Sequence, residues 1–151
     1  MPRLLPPGLH PLDTVGPGDH LLTDWAEVTP SAIDAFAALT GDRHEIHLTD
    51  EGARRHGFPA RVAHGLLVLS LVEGLKSGAL ARLDTFAALG WDCSFRAPVF
   101  AGDRIRARVE VKTMRRAGPG KGLLTLLISV ENQKAEIVQR GEARLMGYLT
   151  R

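Results

Sequence analysis

Asp42 and His47 stand five positions apart in Thr40-Gly41-Asp42-Arg43-His44-Glu45-Ile46-His47. A carboxylate and an imidazole that close together can share the taking and giving of a proton. A second stretch, Arg61-Val62-Ala63-His64-Gly65-Leu66, opens the most apolar segment of the chain. If that segment is a helix, its first N–H groups are unpaired and carry the positive end of the dipole, a suitable place for developing negative charge. Gly65 there would let a carbonyl approach the backbone closely. His64 either caps this helix start or takes part in chemistry.

Other chemistries compete for the same residues. Gly-Asp is common turn material, in which the aspartate bonds nearby backbone. His44, His47 and Asp42 or Asp50 have the composition of a facial metal set. The chain has no HExxH helix and no cysteine cluster, so no metal is expected. Ser70 falls within the apolar segment and Ser94 in a strand, and neither has the context of a strained nucleophile turn.

The elements that must position these groups are legible. Thr29 is a good N-cap, Pro30 suits the first helical position, and Val28 can pack on Ile33 as a staple. Ile33, Phe36 and Ala37 fall on one face, and Gly41 sits where a left-handed cap would end the helix. Asp42 to His47 then lies in the turn beyond it. Thr49 to Phe58 is polar and reads as a cover with at most a helical turn. Val62 to Lys76 is apolar almost all round, which predicts a helix buried on most sides and ended near Gly78. Beyond it the period changes to two. Phe86 to Phe95 reads as a strand. Ile105, Ala107, Val109 and Val111 alternate with Arg104, Arg106, Arg108, Glu110 and Lys112. Leu123 to Val130 and Glu136 to Leu149 follow as strands, and His20 to Glu27 is a possible first strand. Short connections between long strands predict an antiparallel meander, hence an α+β fold with one apolar helix on a curved sheet.

With 151 residues, one domain over 1–151 is expected. Residues 1–18, with five prolines and three glycines, form an irregular N-terminal arm, packed or loose. Prolines break the first residues before an apolar segment forms, no apolar run approaches the ~20 residues a bilayer needs, and Cys93 is the single cysteine. A soluble cytoplasmic protein with no membrane partner is the expectation. Net charge is +2 and aromatic content 5%, with no interleaving of basic and aromatic residues, which excludes a nucleic-acid platform.

Thr40-Gly41-Asp42, His47, Asp50, then His64-Gly65, then Phe95-Arg96-Ala97-Pro98-Val99-Phe100-Ala101-Gly102-Asp103 entering a charged strand, together resemble the MaoC-type (R)-specific enoyl-CoA hydratases. The resemblance covers about Thr29 to Asp103 and implies the hot-dog fold, a long antiparallel sheet wrapped round a central helix. It implies Asp42 and His47 as the catalytic pair and the Gly65 N–H as oxyanion donor. It also implies a homodimer or dimer of dimers, and no cofactor beyond the coenzyme A or acyl-carrier part of the substrate. His44, His64, Leu66, Phe58 and Arg61 are then expected at the substrate, Phe58 over the acyl chain. Arg61, with Arg54 and Arg55, would meet the phosphates of coenzyme A. His44 and Glu45 stand where the family usually has Asn-Pro. Two rivals follow: a thioesterase on the same fold, and a non-catalytic acyl-binding subunit, whose kind usually loses the Asp or the His.

Overall fold

The computed structural model describes residues 2–151. In chain order its strands are β1 (Gly8–His10), β2 (His20–Leu22), β3 (Ala26–Glu27), β4 (Ala81–Leu83), β5 (Thr85–Phe95), β6 (Arg104–Arg116), β7 (Lys121–Asn132) and β8 (Ile137–Tyr148). The helices are α1 (Pro30–Thr40), α2 (Asp50–Arg54) and α3 (Gly65–Ser77), with 3-10 turns at Leu12–Thr14 and Glu45–His47.

Period-two patterning builds the sheet. On β6, Ile105, Ala107, Val109 and Val111 are buried, while Arg104, Arg108 and Lys112 face water. On β7, Leu124, Leu126, Ile128 and Val130 are buried in alternation. The inward rows form one core with Val68 and Val72 of α3. Each fully buried aliphatic side chain of this kind contributes roughly 1.5–3 kcal/mol by leaving water. The outward charges pair across strands, as Arg106 does with Glu131 at 2.6 Å.

Strands β6, β7 and β8 form the expected antiparallel meander, but β5 does not lie beside β6. The order is β2-β6-β7-β8-β5, with β3 also on β6. Residues 96–103 carry the chain from the β5 edge of the sheet across to β6, next to the β2 and β3 edge, past the start of α3, and this crossover matters for the site below. The first strand is split. Thr23 interrupts it, its N–H donating to the Ala107 carbonyl at 2.9 Å and its Oγ1 accepting from the Ala107 N–H at 2.9 Å. The N-terminal arm is packed: Leu5, Leu12 and Val15 are buried, β1 pairs in parallel with β4, and Leu4 makes a parallel bridge to His20.

The capping expected for α1 is present. Thr29 Oγ1 accepts from the Ala32 N–H at 3.1 Å, Val28 and Ile33 are fully buried, and Gly41 ends the helix at φ 78°, left-handed. The expectation for α3 needs correction. Only Leu67, Val68 and Val72 are buried, and Leu66 is 59% exposed. One sheet covers one side of a helix, so the remaining apolar stripe stays open in a single chain. Among the described residues no helix is long and apolar enough to cross a membrane.

Candidate active site

Gly41 turns the chain out of α1 so that Asp42 and His44 lead straight into the 3-10 turn bearing His47. The His44 N–H donates to Asp42 Oδ1 at 3.4 Å, a local turn that aims the carboxylate. Next to this turn runs Arg61-Val62-Ala63. The Val62 N–H donates to the Ile46 carbonyl at 2.9 Å, and His47 Nδ1 lies 2.7 Å from the Val62 carbonyl. On its other side the same segment pairs with the crossover: Ala63 N–H to Val99 O at 2.7 Å and Ala101 N–H to Arg61 O at 3.0 Å. Three backbone segments are thus laid side by side, and His47 is fixed by the middle one.

A carbonyl oxygen only accepts, so His47 Nδ1 carries the proton and its Nε2 is left bare when the ring is neutral. Burial pushes the His47 pKa below its ordinary value, against the Val62 hydrogen bond, which favours the charged ring. His64 also has one carbonyl partner, Nε2 donating to Asp42 O at 2.9 Å. Its ring stacks on His47 at 3.8 Å, meets Phe36 edge-on, and is buried with Nδ1 unpartnered. One side-chain ligating atom from each of Asp42, His47 and His64 lies within 4.8 Å of the other two. The composition suits a metal, but the stack works against one. An ion lies near the plane of each imidazole that binds it, and planes 21° from parallel at 3.8 Å offer no shared position.

His47 opens on a cavity of about 330 Å³, walled by Ile46, Phe58, Val68, Phe95, Arg96 and Pro98 among others, with Gly65 at its edge. Of the residues expected at the substrate, Phe58 lines this cavity and four do not. His64 is sealed behind His47. Leu66 faces away on the open side of α3. His44 is exposed, its Nδ1 accepting from the Ile46 N–H at 3.3 Å as an N-cap. Arg61 is turned inward: Nε donates to His47 O at 2.6 Å, a terminal nitrogen pairs with Asp34, and its own N–H meets Asp50 Oδ1 at 2.9 Å. It braces the loop instead of reaching for a phosphate. Arg55 is likewise engaged by Glu45, which Arg55 and His56 together hold down to about 2. Arg54 donates to Pro59 O at 3.2 Å.

Two wall residues escaped the sequence reading. The Phe95 ring rests on Gly65 so closely that a Cβ there would come within 2.7 Å of Phe95 Cζ. Gln139, 3% exposed, donates from Nε2 to Gly65 O at 2.7 Å. The available signal was a polar residue at an inward position of a strand, visible only once the register of β8 is known.

A family model described as "MaoC like domain" matches residues 14–133. The (R)-specific enoyl-CoA hydratase of Aeromonas caviae is 35% identical over 111 residues, 74% of this chain and 80% of the relative. The 3-hydroxyacyl-thioester dehydratase Z of Mycobacterium tuberculosis is 30% identical over 112 residues, 72% of this chain and 74% of the relative. Among solved structures, the (R)-hydratase from A. caviae superposes with a TM-score of 0.73 at 28% identity, covering 91% of this chain and 98% of that one. A sheet wrapped round α3, with Asp42, His47 and Gly65 gathered at the helix start, therefore comes with matching sequence and matching topology: the chain belongs to the MaoC-like dehydratase family and has the hot-dog fold.

Proposed function

We propose that the protein adds water reversibly to a trans-2-enoyl thioester, giving the 3-hydroxyacyl thioester. The observation that carries this reading is His47, buried, its Nδ1 engaged by the Val62 carbonyl and its ring on the wall of a largely apolar cavity, with a side-chain nitrogen within 4.8 Å of an Asp42 carboxylate oxygen. One water can donate to both acceptors at once. As its oxygen bonds C3 of the enoyl group, His47 Nε2 takes its proton and Asp42 holds it in line. The C2–C3 π electrons move toward the thioester oxygen, where the Gly65 N–H at the positive end of α3 meets the charge. The protonated His47 then returns its proton to C2 on the same face, so that H and OH of one water are both accounted for. Dehydration is the reverse path. Relatives named for enoyl-CoA hydratase and 3-hydroxyacyl-thioester dehydratase activity support this class.

Phe58, on the cavity wall, would bound the acyl chain, and Arg96, on the same wall, is the cation best placed for the carrier. We further infer a homodimer. Strand β5 has a free edge and, with α3, exposes Phe86, Leu89, Trp91, Phe95 and Leu66, large apolar side chains whose burial a second copy would supply. Leu89→Asp is expected to shift the protein toward monomer by analytical ultracentrifugation, whereas an unaltered mass would remove β5 from the interface.

The activity test is loss of the conjugated enoyl absorbance of crotonyl-CoA with free thiol followed in parallel. Absorbance loss without thiol is the expected result. Thiol release would instead mean a thioesterase. A silent protein across short, long and branched acyl thioesters would leave a non-catalytic subunit.

A further inference from the structure

Gln139 breaks the pattern of its strand. Its cross-strand partners are Val130 on β7 and Phe95 on β5, both on the inner face of the sheet, where the surrounding side chains are apolar. A primary amide buried at such a place is costly unless its hydrogen bonds are made. Nε2 makes one short bond, 2.7 Å to the carbonyl of Gly65. Oε1 receives only the long contact from the Cys93 thiol, 3.7 Å.

The bond goes to the first turn of α3, the place where the thioester oxygen is read. The Gly65 carbonyl and the Leu66 N–H belong to one peptide unit, so whatever fixes the first orients the second, while the Gly65 N–H, in the preceding peptide, is held through the shared Cα. A donor on the carbonyl also polarises that unit and strengthens its N–H. Phe95, paired with Gln139 across β5 and β8, presses its ring on the Cα of the same glycine. Two neighbours on the sheet therefore hold Gly65 from two directions, one by contact and one by a hydrogen bond. No other side chain is bonded to the Gly65 carbonyl among the described residues.

We propose that Gln139 is a positioning residue for the oxyanion end of α3: its amide sets the angle at which the first free N–H groups of the helix face the substrate carbonyl. The inference rests on the hydratase reading above. It acts through Gly65, not by touching the reacting carbons, so it should govern turnover more than binding.

The experiment compares wild type with Gln139→Leu, which removes the donor, and Gln139→Glu, which keeps the shape and places an acceptor before the Gly65 carbonyl. Melting temperature is recorded for each, and Gln139→Met serves if the leucine variant fails to fold. Two readouts are taken on the full chain. The first is kcat and KM with crotonyl-CoA. The second, independent of turnover, is the infrared stretch of the carbonyl in bound butyryl-CoA carrying ¹³C at that position. The expected result is kcat down by roughly 10–100-fold, by analogy with the loss when a residue that orients a metal ligand from behind is removed, with KM little changed and the carbonyl stretch raised relative to wild type. A change in KM alone, or an unshifted stretch at full kcat, overturns the proposal and leaves the hydratase reading intact. A wild type that binds butyryl-CoA without hydrating crotonyl-CoA overturns the hydratase reading, and the stretch still decides the role of Gln139. A wild type that binds no acyl-CoA overturns both.

Discussion

The two ends of α3 carry cavities of similar size and opposite chemistry. At the N-terminal end lies the site cavity of about 330 Å³, reached by His47 and Gly65. At the C-terminal end lies a second of about 280 Å³, lined by Glu73, Lys76, Arg82, Leu83 and Leu145 among others. The second holds more charge, and two of its three charged side chains, Glu73 and Lys76, answer each other. Lys76 Nζ meets Glu73 Oε1 at 2.7 Å, and the Trp91 N–H reaches the same oxygen at 3.3 Å. At the first end the polar groups are left with spare capacity: a bare imidazole nitrogen, a carboxylate at the surface, and helix N–H groups without partners. Volume and charge count do not separate the two. What separates them is the kind of group left free: at the first end an imidazole, a carboxylate and helix N–H groups, a set that can move a proton and hold a developing charge.

The largest expected difference between the ends is catalytic. Asp42→Asn and His47→Ala should each lower kcat for crotonyl-CoA hydration by about 10²–10⁴, the range for one positioned acid–base group, without loss of fold. Lys76→Met and Glu73→Gln at the other end should leave that kcat near wild type. Equal losses at both ends would erase the distinction.

Next comes the backbone of the N-terminal end. In Gly65→Ala the new Cβ would press into the Phe95 ring, and either the ring or the helix start must shift to admit it. A displacement of that order costs about 10²-fold in rate. Phe95→Ala in the same chain removes the obstruction and should recover part of the loss. If the double variant is no better than Gly65→Ala alone, the close approach of the ring is not what requires glycine.

How much of this could be read from the sequence follows the same division. Local signals were sufficient for α1, whose Thr29, Pro30 and Gly41 each perform the capping expected of them, and for β6, whose alternation is a property of successive residues. The carboxylate and the imidazole were legible because a capped helix end places the next few residues in space. Pairing across distance was not legible. Period two says that residues 85–95 form a strand but not that the crossover carries the next strand three places across the sheet, beside β2 and β3. Arg61 looked like a free cation because sequence cannot show that its guanidinium turns in toward His47 O and Asp34. The open stripe of α3 looked buried because apolarity predicts that something covers a helix, not that one chain supplies all of the cover.

The pH dependence sharpens the comparison on the side of His47. Burial lowers its pKa in the folded protein, so kcat/KM should hold through neutral pH and fall only as pH drops through a value below the ordinary 6.5. Linkage has the same sign: a histidine with a depressed folded pKa contributes stability that is present above its unfolded value and lost as pH falls through the folded one. In His47→Gln the melting temperature should therefore lose part of its acid sensitivity. An acid limb of the rate profile at or above 6.5 would contradict a buried neutral base.

The smallest effect expected concerns the brace. The Arg61 side chain is only 12% exposed and joins two parts of the site, the carbonyl of His47 and Asp34 on α1, while its backbone N–H holds the start of α2. A hydrogen bond from a charged group is worth about 1.5–3 kcal/mol, whereas the exposed Asp34 partner adds little by itself. Arg61→Ala should thus cost about 1.5–3 kcal/mol by denaturant unfolding, and the crotonyl-CoA rate should fall because the His47 turn loses its support. Arg61→Lys keeps the charge but loses the fork, and should restore stability only in part. Asp34→Asn should cost less than either. A surface arginine free to meet a phosphate would show the reverse order: unchanged stability, and a raised KM for the coenzyme A thioester.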